Sequence, residues 1–249
     1  MRACQIVKKG LIEIIDIPYC GDPGPGEIVV KIKSAGVCGS DIHIYHGTSA
    51  FAIYPNIMGH ELAGEGHMAG DGVTGFKKGD RVAVNNVLSC GKCYACRIGR
   101  SNVCRKVKVI GVHTAGGFQD YLKITAKNVH KLPDSLDWRS AALVEPYSIA
   151  SQSISRAGLT DSDTVLICGA GPIGQMLLQA VKLYNVKVAV MDIVASRLDL
   201  AREFGADCVI NGLDNTIQQQ VLDFSDGEGA SVLFEATGSP KVFEMCVTQ

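Results

Sequence analysis

The order of elements between Thr164 and Asp192 constrains this chain more than any other feature. Thr164–Cys168 is a short apolar, β-branched run that reads as a strand. Gly169-Ala170-Gly171-Pro172-Ile173-Gly174 follows at once. Ile173, Met176, Leu177, Ala180, Val181 and Tyr184 then recur at helical spacing. Residues 186–191 form a second apolar run, and it ends on Asp192. A G-x-G-x-x-G string alone is a weak signal. Strand, glycine turn, amphipathic helix, strand and acid together predict a parallel βαβ unit that binds a dinucleotide. The glycines allow a tight turn and close approach of a pyrophosphate, which rests on the helix N-terminus. Asp192 would accept hydrogen bonds from the adenosine ribose. The alternative is a βαβ unit with a glycine turn and no ligand.

The same alternation continues. A helix over 195–204 leads to a strand at 208–210, and another helix leads to a strand at 232–234, before Glu235-Ala236-Thr237-Gly238. Four strands are present where a complete doubly wound sheet has about six. Gln249 falls inside what reads as the next helix, so the sheet is expected to be incomplete at the C-terminus.

The first half reads as β-rich. Residues 27–33 alternate apolar and charged side chains after the Pro23-Gly24-Pro25-Gly26 turn, the pattern of a half-buried strand. Residues 69–84 pass through two glycine turns into the strand Arg81–Val84. Glu65-Gly66-His67-Met68 is less apolar, which predicts an edge strand with solvated side chains. Residues 111–121, with Gly116-Gly117, predict a hairpin, and 138–150 have helical spacing.

The chemistry rests on cysteines and their neighbours. The apolar stretch 11–17 is cut by Glu13 and Asp16, so it is no signal peptide. Ten cysteines without such a leader suggest thiols and metal ligands, not a disulfide framework. Cys4, Cys20, Cys168, Cys208 and Cys246 are scattered and read as packing or surface residues. Cys90-x2-Cys93-x2-Cys96-x7-Cys104 has the spacing of a closed tetrahedral zinc, which leaves no place for substrate and predicts a structural metal. The spacing does not by itself exclude an iron–sulfur cluster.

Gly36-Val37-Cys38-Gly39-Ser40-Asp41-Ile42-His43 brings a thiol, a hydroxyl, a carboxylate and an imidazole into one short stretch. With Gly59-His60-Glu61 it supplies a three-ligand zinc site with an open fourth position. Glu145 falls among Ala141, Ala142, Leu143 and Val144, where a carboxylate needs a partner or a metal. Alternatively it caps the following helix, with Pro146 at the first position. A formal net charge of −1 gives no reason to expect nucleic acid or an anionic membrane as partner, and no run approaches a membrane span.

Taken together, Gly36 to Asp41, Gly59-His60-Glu61, the four-cysteine stretch, Val144-Glu145-Pro146 and Gly169 to Gly174 resemble the zinc-dependent medium-chain dehydrogenase/reductase superfamily. Tyr45, Gly47, Phe51, Tyr54-Pro55, Gly111-Val112-His113 and Gly116-Gly117-Phe118 look most like its polyol and sugar-acid branch. The resemblance implies an α/β plus β chain. A GroES-like catalytic domain over residues 1–148 carries a structural zinc lobe at about 88–106. A Rossmann domain over 149–249 follows, and the active site lies in the cleft between them. The catalytic zinc ligands fall on Cys38 and His60, with Glu61 as ligand or close neighbour. Glu145 stands where alcohol dehydrogenases of the family carry a third ligand, a cysteine. Ser40 matches the hydroxyl that touches the substrate oxygen, His43 the outer histidine of a proton relay, and Asp41 the carboxylate that orients His60. Gly169, Gly171, Pro172, Ile173, Gly174, Asp192 and Arg197 would hold the cofactor.

NAD is expected over NADP, because Asp192 repels a 2′-phosphate and Ile193 offers no positive charge. Arg197 is the one residue that would favour NADP, and four positions on from Ile193 it is expected to start the helix face. The implied reaction is hydride transfer between a secondary hydroxyl of a polyol or sugar acid and the nicotinamide. The alternatives are a non-catalytic zinc and dinucleotide sensor and, among enzymes, a threonine or simple alcohol dehydrogenase. A cytoplasmic small-molecule enzyme is expected. Family members continue beyond this point and often pair through the sheet edge, so the early ending sets homo-oligomerisation in question.

Overall fold

The computed structural model describes residues 1–248. The chain divides into two compact units, the first spanning Met1–Glu145 and the second beginning at Pro146. None of the described helices is long and apolar enough to cross a membrane.

The first unit opens with β1 (Arg2–Lys8), β2 (Leu11–Asp16) and β3 (Glu27–Gly36), followed by the short helix α1 (Gly39–Tyr45). β4 (Asn56–Ile57), β5 (Glu61–Ala69), β6 (Arg81–Val84) and β7 (Val87–Leu88) come next. The remainder is α2 (Tyr94–Arg97), β8 (Lys108–Val109), β9 (Tyr121–Thr125), β10 (Val129–Lys131), α3 (Trp138–Ala142) and the start of α4 (Val144–Ala157). Its main sheet is antiparallel, in the order β10-β6-β5-β3-β9, beside a three-stranded sheet β2-β1-β4. Ile28, Val30, Leu62, Val82, Val84, Ile110 and Leu122 form its core. β3 departs from simple alternation, since Ile28, Val29 and Val30 are all buried. Its start is therefore covered on both faces.

Three expectations are corrected here. The segment from Glu65 to Met68 is not an edge strand but part of the interior strand β5: Glu65 pairs with both β3 and β6, and beyond it the strand runs on paired with β3 alone. A strand with glycine at 64 and 66 carries little apolar surface, which is why it reads as an edge. Glu65 forms an ion pair with Lys33 at 3.2 Å, and the His67 ring lies 5.0 Å from that of Tyr121. Residues 111–121 form no hairpin. They fold as a loop laid along residues 57–59, with Gly116, Gly117 and Phe118 N–H groups donating to the Ile57, Gly59 and Met58 carbonyls. The helix over 138–150 is two helices. Asp137 caps α3 by accepting from Arg139 and Ser140 N–H, and the turn at Leu143 separates it from α4.

The second unit carries β11 (Thr164–Cys168), α5 (Pro172–Val181), β12 (Lys187–Asp192), α6 (Ala195–Glu203), β13 (Cys208–Asn211), α7 (Ile217–Phe224), β14 (Val232–Glu235) and α8 (Pro240–Thr248). Its four strands are parallel, in the order β13-β12-β11-β14. Val165, Ile167, Val188 and Val190 pack into one core, while Leu166, Cys168, Ala189 and Met191 pack into another. A parallel sheet buried on both faces reads as continuous apolar runs for this reason. The helix expected to reach Gln249 is α8; Gln249 itself lies outside the described residues.

Candidate metal centres and dinucleotide site

Pairing of β3 with β5 builds the first centre. Gly36 stands directly across from Glu61, so the end of β3 and the start of β5 arrive together. Cys38 follows in extended backbone just before α1, and His60 precedes β5. The sulfur of Cys38, a ring nitrogen of His60 and a carboxylate oxygen of Glu61 lie within 4.8 Å of one another. Gly36 makes this possible: a Cβ there would land on the Glu61 carboxylate. Asp41 sits one turn into α1, where its Oδ2 accepts from Cys38 N–H at 3.0 Å. Its Oδ1 lies 3.7 Å from His60 Nδ1. That is ion-pair range but beyond a hydrogen bond, and both atoms are buried without a hydrogen-bond partner.

The electrostatics of this cluster are unbalanced. The hydrogen bond with His60 lowers the Cys38 thiol pKa, with burial opposing and the Ser40 hydroxyl and backbone helping. Burial pulls His60 down, but the Cys38 hydrogen bond and the charges of Asp41, Cys38 and Glu145 leave it raised. Burial raises the carboxyls of Asp41, Glu61 and Glu145. One base thus faces a thiol and three acids, and buried charge of one sign is costly without a counter-ion. A divalent cation would supply it. Bound through Nε2, it would also leave Nδ1–H to donate to Asp41, as metal-bound histidines generally do. The donor set therefore fits zinc. Glu145 lies outside the 4.8 Å group; it bears electrostatically on His60 and Glu61, and its Oε1 accepts from Asn86 Nδ2 at 2.8 Å.

Ser40 and His43 occupy α1, three residues apart and so on one helix face. Ser40 is half-buried. His43 is exposed, and its Nδ1 lies 3.0 Å from Thr48 Oγ1.

The second centre comes from a single loop. Cys93 Sγ lies 3.5 Å from Cys96 Sγ and 3.8 Å from Cys104 Sγ, and Cys90 Sγ lies 3.9 Å from Cys96 Sγ. A tetrahedron with metal–sulfur bonds of about 2.3 Å has sulfur–sulfur edges of about 3.8 Å. All four thiols are free, and one metal fits among them. An iron–sulfur cluster divides its cysteines among different irons and spreads them further apart. Backbone N–H groups of Cys90 and Lys106 each donate to Cys104 Sγ at 3.3 Å. The N–H groups of Cys96 and Arg105 pull the Cys93 pKa down to about 6. Burial and the neighbouring sulfurs push Cys96 up to about 11. Without a cation Cys93 and Cys96 therefore ionise far apart in pH.

In the second unit, α5 begins at Gly171 with Pro172 in its first turn and no side-chain cap. Its first N–H groups are therefore open to an anion. Gly174 packs so closely on the turn that a Cβ would strike the Gly169 carbonyl oxygen. A cavity of about 590 Å³ is lined by Gly169, Gly171, Asp192, Ile193, Arg197 and Thr237, among others. Asp192 is more tightly held than its position at a strand end suggests. It accepts from Ala170 N–H at 2.7 Å and Val194 N–H at 2.9 Å, with Arg197 Nη1 at 3.6 Å. Arg197, in the first turn of α6, also lines the cavity. Asn86, Thr48 and the clamp on Asp192 are absent from the sequence reading, because each acts through a hydrogen bond that no local motif announces.

Residues 24–134 match the family of alcohol dehydrogenase GroES-like domains, and residues 172–249 match the zinc-binding dehydrogenase family. The starvation-sensing protein RspB of Escherichia coli K12 is 40% identical over 100% of this chain and 73% of its own length. The L-threonine 3-dehydrogenase of Pyrococcus abyssi is also 40% identical, over 94% of this chain and 67% of its own. The L-galactonate-5-dehydrogenase of E. coli K12 is 37% identical, over 91% and 69%. Among solved structures, the rspB alcohol dehydrogenase of E. coli CFT073, complexed with NADH, superposes with a TM-score of 0.90 at 40% identity, covering 100% of this chain and 72% of that one. A zinc-binding dehydrogenase from Sinorhizobium meliloti bound to NADP superposes with a TM-score of 0.90 at 28% identity, over 97% and 71%.

Proposed function

This chain belongs to the zinc-dependent medium-chain dehydrogenase/reductase superfamily, and we propose that it oxidises a secondary hydroxyl of a polyol or sugar acid with NAD. The observation that carries this reading is the donor set around Cys38, which has one thiol, one imidazole and two nearby carboxylates in Glu61 and Glu145. A shell poor in thiolate and rich in oxygen suits a harder, more open metal, on which a substrate with adjacent hydroxyls can chelate. Bound zinc and dinucleotide supply, respectively, Lewis acidity toward the substrate hydroxyl and the hydride acceptor.

The rest of the work falls to side chains. Cys38, His60 and Glu61 hold the metal, with Glu145 beside it and Asp41 orienting His60. Ser40 Oγ takes the hydroxyl proton, and His43 passes it outward. The Thr48 contact at Nδ1 fixes the His43 ring and leaves Nε2 for exchange with water. Gly169, Gly171 and Gly174 shape the pyrophosphate seat, with Pro172 and Ile173 opening the helix beneath it. Asp192 faces the adenosine ribose and disfavours a 2′-phosphate, while Arg197 is engaged by Asp192.

A second reading, L-threonine as substrate, is favoured by the 40% identity to the Pyrococcus abyssi enzyme. Threonine shares the chemistry that matters, a secondary hydroxyl next to a second metal-binding group. A screen with NAD and NADP across polyols, aldonates, threonine, ethanol and butanol tests the proposal. Polyols or aldonates with NAD should be turned over fastest. Faster turnover of the simple alcohols would remove the argument from Glu145, and preference for NADP would remove the reading of Asp192.

A further inference from the structure

Asn86 lies just beyond β6 and is 7% exposed. Its Nδ2 donates to Glu145 Oε1 at 2.8 Å, across 59 residues of chain. The segment that carries this amide is held on every side. The Asn86 carbonyl accepts from Ile110 N–H at 3.0 Å, and Asn85 N–H donates to the Asn128 carbonyl at 2.7 Å. Asn128 Nδ2 returns two bonds of 2.9 Å, to the carbonyls of Asn85 and Val87. Asn128 is itself 3% exposed and is fixed by Thr125 Oγ1, which donates to its Oδ1 at 2.9 Å. A donor on so rigid a segment dictates where its acceptor sits.

We propose that Asn86 is a positioning residue for Glu145. It pins one carboxylate oxygen and so fixes the plane in which Glu145 faces the Cys38–His60–Glu61 centre. Buried amides are satisfied wherever they occur, so the bond alone would be ordinary. Its acceptor sets it apart. Glu145 bears electrostatically on His60 and Glu61, so the oxygen that Asn86 holds belongs to a carboxylate beside the centre. The proposal rests on the metal centre put forward above, and groups of this kind govern metal affinity by about 10- to 100-fold.

Cobalt(II) titration of the metal-free full chain tests it. Cys38→Ser should remove the absorption of one thiolate-bound cobalt; if it removes none, the centre itself is misassigned. With the centre established, Asn86→Ala should weaken its cobalt affinity about 10- to 100-fold and shift its visible bands, with the lobe cobalt unchanged. Asn86→Asp keeps the shape, cannot donate, and should do at least as much harm. In a Glu145→Ala background, Asn86→Ala should have no further effect. Unchanged affinity and bands in Asn86→Ala, or wild-type binding by Asn86→Asp, would overturn the proposal. So would an undiminished Asn86→Ala effect in the Glu145→Ala protein, because Asn86 would then act on the fold.

Discussion

The two candidate metal centres of the first unit take their donors in different ways. The lobe draws four identical thiols from one loop, at edges of 3.5 to 3.9 Å that suit a single tetrahedral ion. The Cys38 centre draws unlike donors from two strand ends, with Glu145 and Asn86 brought up from further along the chain. In the lobe a metal would close a loop that has little apolar core of its own, where Tyr94, Ile98 and Val103 stay exposed. At the Cys38 centre the β3–β5 register has already brought the donors together, and a metal would answer a charge imbalance. Removing metal should therefore cost the lobe its structure and the Cys38 centre its chemistry.

The largest expected effect breaks the pair apart. Cys38→Ser should lower turnover by about a thousandfold, equivalent to about 4 kcal/mol of lost transition-state stabilisation, while Tm stays near that of the parent protein. Cys96→Ser should lose one metal and at least about 4 kcal/mol of stability. Elemental analysis, thermal melts and rates on the same preparations check both. Comparable loss of stability in both variants would mean that the Cys38 centre is also structural.

A smaller effect sharpens the contrast through glycine. Gly36 is required for space, since a Cβ would occupy the position of the Glu61 carboxylate. Gly36→Ala should push Glu61 aside and weaken metal binding at that centre about 10- to 100-fold, with little change in Tm. Gly91 in the lobe has φ +68° and open space around it. Gly91→Ala should therefore cost about 1 kcal/mol of stability through backbone strain alone. Chelator competition and melts separate the two. Unaltered metal affinity in Gly36→Ala would take Glu61 out of the donor set.

The same contrast explains what the sequence reveals. The lobe is legible because its four cysteines are close in sequence and fold into one cluster. The glycine turn is legible because strand, turn, helix and acid follow one another without interruption. Cys38, His60 and Glu61 can be grouped in the sequence by ligand type and by family resemblance but not by geometry, since the register that joins Gly36 to Glu61 is a property of the folded sheet. Asn86 is not legible at all. An asparagine after a strand reads as a turn residue, and its acceptor lies 59 positions away. The ion pair of Arg197 with Asp192 is not legible, because helical phase shows which face a residue takes but not what lies beside the first turn. Glu65 and His67 read as an edge because Gly64 and Gly66 beside them remove the apolar signal that marks an interior strand.

The smallest effect concerns protons. In the metal-free lobe Cys93 ionises above about pH 6, because backbone N–H groups stabilise its thiolate. Cys96 keeps its proton up to about pH 11, because burial and its sulfur neighbours oppose a further negative charge. Between these values a metal must displace at least the Cys96 proton, so lobe affinity should rise with pH by about tenfold per unit. Below about pH 6 Cys93 is also protonated, and the dependence should steepen. The Cys38 centre behaves differently. Its thiol is held below the ordinary thiol value by His60, while the His60 imidazole and the buried Glu61 carboxyl are held above theirs, so metal binding also displaces protons from His60 and Glu61. Its affinity should therefore climb through the carboxyl and histidine ranges and climb less steeply once His60 is neutral. Zinc titrations of the Cys38→Ser protein from pH 6 to 9, with proton release followed by an indicator dye, isolate the lobe. Affinity that stays constant from pH 7 to 9 would show that zinc displaces no proton from Cys96, and the reading of Cys96 as a protonated thiol in the metal-free lobe would fail.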